Sequence, residues 1–459
     1  VKAPATKHLR KLQSRLPEGE LSFDPSLLQQ NSGDKWFASH LPEAVAFPKS
    51  AQSVSEILKF STRHKIPVTP RGAGYGYVGG CVPVRGGISL SLARMNQIKE
   101  INPADFVAVV EPGVILKPFQ DAVEKLGLYY PPDPASRADC SIGGTIATNA
   151  GGPRCLKYGV TGDYVFGLEV VLPDGAIVKT GGRTHKNKSG FSLTKLFVGS
   201  EGMLGVVTEA TLKLIPLPPH HSLLVAGFAT MKEAARAIAD IFKSGFLPCA
   251  LEVADQFTLE AARRRTGSSR LAGSDALIMV EIDGQKNSVR GEMRSLQKLL
   301  NGHQPIFTQR ADGNENVEKL WQLRREFSYA LRDTGLIKLN QDIVVPRGRL
   351  EDLFRFAARL QKKSGIPIAC FGHAGDGNIH VNIMYDRKWP DIETRTRKAL
   401  DELFRQVLAW NGSITGEHGI GLAKKPWWPL AASGELRELH QKIKRGLDPQ
   451  GVLNPGKFL

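Results

Sequence analysis

Pro367-Ile368-Ala369-Cys370-Phe371-Gly372-His373-Ala374-Gly375-Asp376-Gly377-Asn378-Ile379-His380-Val381-Asn382-Ile383-Met384 reads as two antiparallel strands joined by a tight turn. Pro367 to Phe371 is the first strand, Gly375 to Asn378 the turn, and Ile379 to Met384 the return. Side chains alternate across a sheet, so His380 and Asn382 share one face while Ile379, Val381 and Ile383 take the other. The turn folds His373 back beside the second strand. Two imidazoles and a carboxamide can then converge on one spot, and an acid such as Glu417 of Glu417-His418-Gly419 could add a third ligand for zinc or a similar divalent metal. The plainer alternative is a pair of hydrogen-bonded strand histidines.

Working outward, the chain has 459 residues, too many for one small core, so two or three domains are expected. With 41% hydrophobic and 23% charged residues it has the composition of a soluble globular protein, and no apolar run is long enough to span a bilayer. Val1-Lys2-Ala3-Pro4 lacks the apolar stretch of a secretory signal. Cys81, Cys140, Cys155, Cys249 and Cys370 show no C-x-x-C spacing, which points to reduced thiols in a cytoplasmic setting and to no iron–sulfur cluster within the chain. The net charge of +16 suits anionic substrates, an acidic partner, or peripheral contact with the anionic inner face of a membrane. No nucleic-acid-binding module accompanies it.

The lead-in, residues 1–39, is helical and then polar. Ala44 to Pro48 reads as a strand, Ser53 to His64 as a helix, and Pro67 to Pro70 as a strand entering a glycine-rich loop. Strands follow at Ile88 to Leu92, Val107 to Glu111 and Val165 to Leu172, with a hairpin at Asp174-Gly175. Pro216-Leu217-Pro218-Pro219-His220-His221 marks a domain boundary. Beyond it come strands at Leu223 to Phe228, Ala250 to Val253 and Leu277 to Ile282, and helices at Met231 to Lys243, Lys286 to Leu300 and Val317 to Arg332. That alternation fits an antiparallel α+β sheet covered on one side by helices. No internal repeat is evident.

Three glycine-rich loops look built to admit a large anionic ligand. They are Pro70-Arg71-Gly72-Ala73-Gly74-Tyr75-Gly76-Tyr77-Val78-Gly79-Gly80, Ser141-Ile142-Gly143-Gly144-Thr145-Ile146-Ala147-Thr148-Asn149-Ala150-Gly151-Gly152, and Gly199-Ser200-Glu201-Gly202-Met203-Leu204-Gly205-Val206-Val207. Glycine lets successive N–H groups point inward as a nest for phosphate oxygens. Gly74-x-Gly76-x-x-Gly79 lacks a convincing acidic residue about twenty positions on, so a nicotinamide site is not expected. Any one loop could be an ordinary turn; three together favour a ligand.

These motifs, with GHAGDGNIHVN, GEHGIG and LDPQGVLNPGK in the same order, resemble the vanillyl-alcohol oxidase and p-cresol methylhydroxylase flavoprotein superfamily. Within it the chain is similar to the D-2-hydroxyacid dehydrogenases: the flavoprotein component of glycolate oxidase, D-lactate dehydrogenase and D-2-hydroxyglutarate dehydrogenase. The resemblance implies an α+β fold with a two-subdomain FAD-binding domain of the p-cresol methylhydroxylase type (residues 40–218). It also implies an antiparallel-sheet cap domain (219–410) and a C-terminal helical return (411–459).

The resemblance further implies non-covalent FAD. Its contacts would come from Pro70, Arg71, Gly72, Ala73, Gly74, Tyr75, Gly76, Gly79, Gly80 and Pro134, from Ser141, Gly143, Gly144, Thr148, Gly151, Gly152 and Tyr158, and from Glu201, Gly205, Val207 and Asn454. A divalent metal, zinc by that analogy, would be held by His373, His380 and Glu417. His418 would be the base, with Arg324 on the substrate carboxylate and Asn382 beside them. The implied partners are a small anionic 2-hydroxyacid and an external electron acceptor (quinone, cytochrome, electron-transfer flavoprotein or iron–sulfur subunit), and a homodimer is compatible with the family. An alkyl-dihydroxyacetone-phosphate synthase reading lacks its run of active-site histidines here. A non-catalytic FAD-binding electron-transfer subunit would need neither metal ligands nor base. Because no loop carries an attachment histidine, FAD should leave with the supernatant intact when the protein is acid-precipitated. Yellow colour retained in the pellet would show a covalent link.

Overall fold

The computed structural model describes residues 3–267 and 273–459, so Val1 and Lys2 of the lead-in lie outside the described residues. The chain divides into two units: Val1–Ala150 with Val160–Leu217 and Glu417–Leu459, and Gly151–Gly159 with Pro218–Gly416. The break after Leu217 falls within the proline-rich punctuation. The segment Gly151–Gly159 groups with the second unit, whereas its sequence context lies within the flavin loops.

In the first unit, β1 (Leu21–Ser22), β2 (Ala44–Ala46), β3 (Val68–Arg71) and β4 (Ile88–Ser91) form one sheet in the order β1-β2-β4-β3. β2 and β3 flank β4 in parallel, so the chain must cross over between them, and the helix Ala51–His64 makes that crossover. It starts where Ser50 Oγ accepts the Ser53 N–H (3.2 Å) and ends at Lys65, whose φ is +54°. Its Val54, Ile57, Leu58 and Phe60 pack with Leu9, Leu12, Val68, Ile88 and Leu90. A second, antiparallel sheet has the order β5-β6-β10-β8-β9: β5 (Ile98–Asn102), β6 (Val107–Val110), β8 (Val165–Val171), β9 (Ile177–Gly181) and β10 (Val206–Lys213). A short ribbon pairs β7 (Leu128–Tyr129) with β11 (Ile215–Pro216).

The second unit is built on a seven-stranded, wholly antiparallel sheet. Its order is β15-β12-β14-β13-β17-β18-β16: β12 (His220–Phe228), β13 (Ala250–Asp255), β14 (Ala276–Gly284), β15 (Phe307–Asp312), β16 (Ile337–Val344), β17 (Ile368–His373) and β18 (Asn378–Tyr385). It contains a repeat that the sequence did not reveal. β12, helix Met231–Lys243, β13, β14 and helix Lys286–Asn301 recur as β16, helix Leu350–Ser364, β17, β18 and helix Ile392–Ala409. In each half the third strand inserts between the first two, and β13 meets β17 at the junction. The trace left in the sequence is slight: Lys243-Ser244-Gly245 before Pro248, and Lys363-Ser364-Gly365 before Pro367.

Both faces of this sheet are covered, not one as the alternation suggested, which is why β12, β14, β17 and β18 are buried along nearly their whole length. One face packs against the helices Gln256–Thr266 and Asn314–Asp333 through Leu223, Ala254, Met279, Phe327 and Phe371. That same face carries the histidines. Among the described residues, no helix is long and apolar enough to cross a membrane.

Phe327 is 1% exposed, and its ring meets Phe371 edge-on at 6.1 Å. Phe327→Ala should lower the unfolding free energy by about 3–5 kcal/mol. A shift of under about 1 kcal/mol in urea denaturation would remove this residue from the core that supports β17.

Candidate functional site

The first glycine loop is shaped by the protein and leaves donors to spare. Gly74 and Gly79 have φ of +76° and +73°, conformations that side chains disfavour. A Cβ on Gly74 would lie 2.1 Å from the Arg71 guanidinium, and one on Gly72 would lie 2.5 Å from Ser141 Oγ. Arg71 donates to the Gly33 carbonyl (2.5 Å) and Cys81 Sγ (3.2 Å), so it supports the loop from below. Ser141 Oγ caps the helix Ile142–Thr148 by accepting the Gly144 N–H, and also accepts the Ala73 N–H (3.2 Å), tying the first loop to the second. Among the described residues, the backbone N–H groups of Gly74, Tyr75 and Gly76 have no acceptor in the protein. Three consecutive unfilled donors in a glycine cradle fit a pyrophosphate.

Other predicted contacts act on the frame. A Cβ on Gly143 would meet Pro112 at 2.6 Å, and one on Gly205 would meet Val170 at 2.4 Å, so both are close-packing glycines. Thr148 bonds back to the Gly144 carbonyl, Pro134 opens a turn closed by the Arg137 N–H, and Val207 lies in β10. The Asn454 carboxamide donates to the carbonyls of Gly80 (3.0 Å) and Glu201 (2.7 Å), stapling the first loop to the third. Half-buried Glu201 accepts the N–H groups of Ile420 (2.8 Å) and Gly421 (2.9 Å), just past Glu417-His418-Gly419. The His418 ring lies 5.3 Å from that of Tyr77, and its Nε2 is 3.7 Å from Glu417 Oε1.

In the second unit the hairpin is as the alternation requires. β17 and β18 pair with His373 opposite Asn378 and Phe371 opposite His380. The His373 and His380 rings stand edge-on, with centroids 5.5 Å apart. The organising group is one that sequence reasoning missed. Glu252, the register partner of His373 on β13, is 1% exposed. It accepts His373 Nδ1 (2.6 Å) and Arg324 Nε (2.5 Å). Burial pushes its pKa up, but the Arg324 and His373 charges outweigh that and hold it at about 2. With Nδ1 committed to a carboxylate, Nε2 is the ring nitrogen that His373 could offer to a metal, an arrangement common behind metal-bound histidines.

Asn382 is fully buried, and its amide is filled by Asn340 and by the carbonyls of Ala369 and His380. It therefore sets the strand geometry behind His380. Asp342, also missed, accepts Asn378 Nδ2 (2.7 Å), Thr415 Oγ1 (3.0 Å) and the Gly416 N–H (2.9 Å). Glu417 is the next residue in the chain. Tyr158 donates to Asp283 Oδ2 (2.6 Å) on β14, so its hydroxyl is engaged within the second unit. Gly151 and Gly152 belong to that same segment. A second group, His221, Cys249 and Asp283, also has ligand atoms within 4.8 Å of one another. There, however, the Lys157 ammonium already lies 2.5 Å from Asp283 Oδ1.

With this geometry in view, relatives are informative. Residues 217–458 match the family described as FAD linked oxidases, C-terminal domain, and residues 42–181 match the FAD binding domain. The chain is 38% identical over 418 residues to the glycolate oxidase subunit GlcD of Bacillus subtilis, covering 91% of this chain and 89% of that protein. It is 36% identical over 421 residues to the D-lactate dehydrogenase of Archaeoglobus fulgidus, covering 90% and 91%. The structure of p-cresol methylhydroxylase with substrate bound superposes with a TM-score of 0.80 at 18% identity, covering 100% of this chain and 97% of that one. The chain belongs to the FAD-linked oxidase family and is an FAD-linked oxidoreductase.

Lys338 lies on the same sheet face, donating to Ser328 Oγ (2.6 Å). Burial first, then the Arg332 and Arg324 charges, lower its pKa to about 7. An unfolded lysine keeps its proton to about pH 10.4, so the cost of burying the ammonium is fully present below about pH 7 and fades as pH rises through that window. Stability should therefore rise from about pH 7 to about pH 10, and Lys338→Met should flatten the rise. Equal slopes for both proteins in denaturation series would assign the rise elsewhere.

Proposed function

We propose that the protein oxidises a D-2-hydroxyacid of the glycolate, D-lactate or D-2-hydroxyglutarate class to the 2-oxoacid, passing the electrons to an external acceptor. The observation that carries this reading is the buried array Arg324–Glu252–His373 beside His380, on one face of the seven-stranded sheet. The relatives named for glycolate and D-lactate support the substrate class. Bound FAD would supply the two-electron acceptor, taking hydride from the substrate Cα at its N5. A divalent metal, zinc by its imidazole and carboxylate ligand set, would supply Lewis acidity toward the substrate hydroxyl and carboxylate.

The residues His373, His380 and Glu417 fit that ligand set. His373 has its ligand nitrogen selected by Glu252, and Glu417 follows a glycine fixed by Asp342. Arg324 spends Nε on Glu252 and keeps its two Nη groups for the substrate carboxylate, a planar fork held at its base. His418 takes the hydroxyl proton as hydride leaves Cα. Metal-bound imidazoles have committed a lone pair, so the base falls to His418. Its contact with the Tyr77 ring limits its swing. Arg324 and His373 are both held by Glu252, and such fixed side chains are what orientation of a substrate requires.

An anaerobic screen of glycolate, D-lactate and D-2-hydroxyglutarate, followed by flavin bleaching, tests the assignment. Bleaching by none of them would overturn it. His380→Ala should remove bound metal and turnover while FAD stays, because the glycine cradle lies in the other unit. Full metal occupancy in that variant would return His380 to a structural role. His418→Asn should keep FAD and metal and slow flavin reduction by about 10²–10⁴-fold. Reduction within a few-fold of the parent would move the proton to another group.

A further inference from the structure

The segment Gly151–Gly159 contains only one four-residue helical turn, Cys155–Tyr158, too short to hold its own shape. Its position comes from charge. Glu281 and Asp283 project from β14 with side chains that are 0% exposed, and the segment fills both. Arg154 Nη2 reaches Glu281 Oε1 (3.1 Å) and Oε2 (2.9 Å), while Lys157 Nζ and the Tyr158 hydroxyl take Asp283 Oδ1 and Oδ2. Glu281 also receives Trp321 Nε1 (2.7 Å) and His221 Nδ1 (2.7 Å). Two buried acids meet two strap cations, so the cation beside the His221–Cys249–Asp283 group is the strap's own lysine. Burial moreover raises the Cys249 thiol well above its ordinary range, which leaves it protonated.

Between Arg154 and Lys157 the strap presents Leu156 to the turn that joins the two histidine strands. A Cβ on Gly375 would fall 2.7 Å from Leu156 Cδ2 and 3.1 Å from its Cβ. Elsewhere the turn is pinned by hydrogen bonds: the Gly375 N–H to the Leu251 carbonyl (3.0 Å), the Gly377 N–H to the His373 carbonyl (3.1 Å), and the Val345 N–H to the Gly377 carbonyl (3.0 Å). Backbone bonds thus fix its ends and a single apolar side chain closes its open side.

We propose that the strap is a brace whose Leu156 sets the position of the Ala374–Gly377 turn, and with it His373 and His380, while Arg154, Lys157 and Tyr158 lock the brace to the sheet. Leu156 is a positioning residue. The inference rests on the reading of His373 and His380 as metal ligands. It predicts a specific coupling, because Gly375 lacks a side chain only where Leu156 needs the room.

The test uses the full chain with FAD bound, zinc in equilibrium dialysis, and the KM for whichever hydroxyacid bleaches the flavin. Gly375→Ala should weaken zinc binding about 10–100-fold, the range for disturbed support behind metal ligands, with FAD retained. Adding Leu156→Ala should restore zinc binding to within a few-fold of the parent, since the two changes act at one contact. A merely structural role would make the losses add, and that result overturns the proposal. Should Gly375→Ala fail to fold, Lys157→Met and Lys157→Arg decide: Met should weaken zinc binding and expose the 151–159 segment to limited proteolysis, and Arg should reverse both. Equal zinc affinity in the two refutes the brace. A parent protein that binds no zinc would sink the ligand reading alone. The brace is then judged on KM, which must rise in Gly375→Ala and fall back in the double variant.

Discussion

A carboxylate buried in the middle of an apolar strand is the constraint on which the second unit depends. Glu252 sits in Ala250-Leu251-Glu252-Val253-Ala254, where an ionised group without partners would cost several kcal/mol. Arg324 and His373 provide the partners, one on each oxygen. Because Glu252 and His373 also face each other across β13 and β17, satisfying the charge selects the register of the strand pair that joins the two halves of the repeat. A slip of one residue would turn Glu252 into the opposite, apolar layer. The same contact selects which imidazole nitrogen of His373 faces outward. Register and ring orientation therefore have one cause.

The neighbouring strand β14 solves the same problem with different residues. Glu281 is a second buried strand carboxylate, again pulled against burial to about 2 by an arginine and a histidine, here Arg154 and His221. One helix, Asn314–Asp333, serves both acids. Trp321 Nε1 donates to Glu281 and Arg324 Nε to Glu252, and a spacing of three places both on one helix face, a turn apart. The helix cannot rotate to improve one contact without losing the other. This explains how Arg324 can sit on a long helix and still be rigid.

The hairpin with His373 and His380 was legible in the sequence because period-two alternation and a glycine turn are local signals, and the helices around it were legible for the same reason. The first and third glycine stretches were visible as loops, the second hid the helix Ile142–Thr148 behind its glycines, and the internal support of none was legible. Glu201 binds backbone some 220 residues away and Asn454 some 253, distances at which residue type carries no hint of partner. Glu252 was detectable only as a charge among apolar neighbours; its partners lie 72 and 121 residues downstream. The repeat escaped because each half needs only the pattern of buried and exposed positions, and many sequences satisfy that pattern.

The three residues that would bring acid and base to the site are controlled from both ends. Gly416 is held by Asp342 and has no room for a side chain, since a Cβ there would meet Asn378 Nδ2 at 2.4 Å. Ile420 and Gly421 are held by Glu201, and Gly419, at a φ of +86°, leaves space for that carboxylate. Between these anchors stand Glu417, His418 and Gly419. Successive Cα atoms are about 3.8 Å apart, so Glu417 stays within one residue of the held Gly416 and His418 within two of the held Ile420. Asp342 and Glu201 thus do for the C-terminal segment what Glu252 does for the strands: a carboxylate that accepts several backbone and side-chain donors fixes the chain on either side of Glu417 and His418.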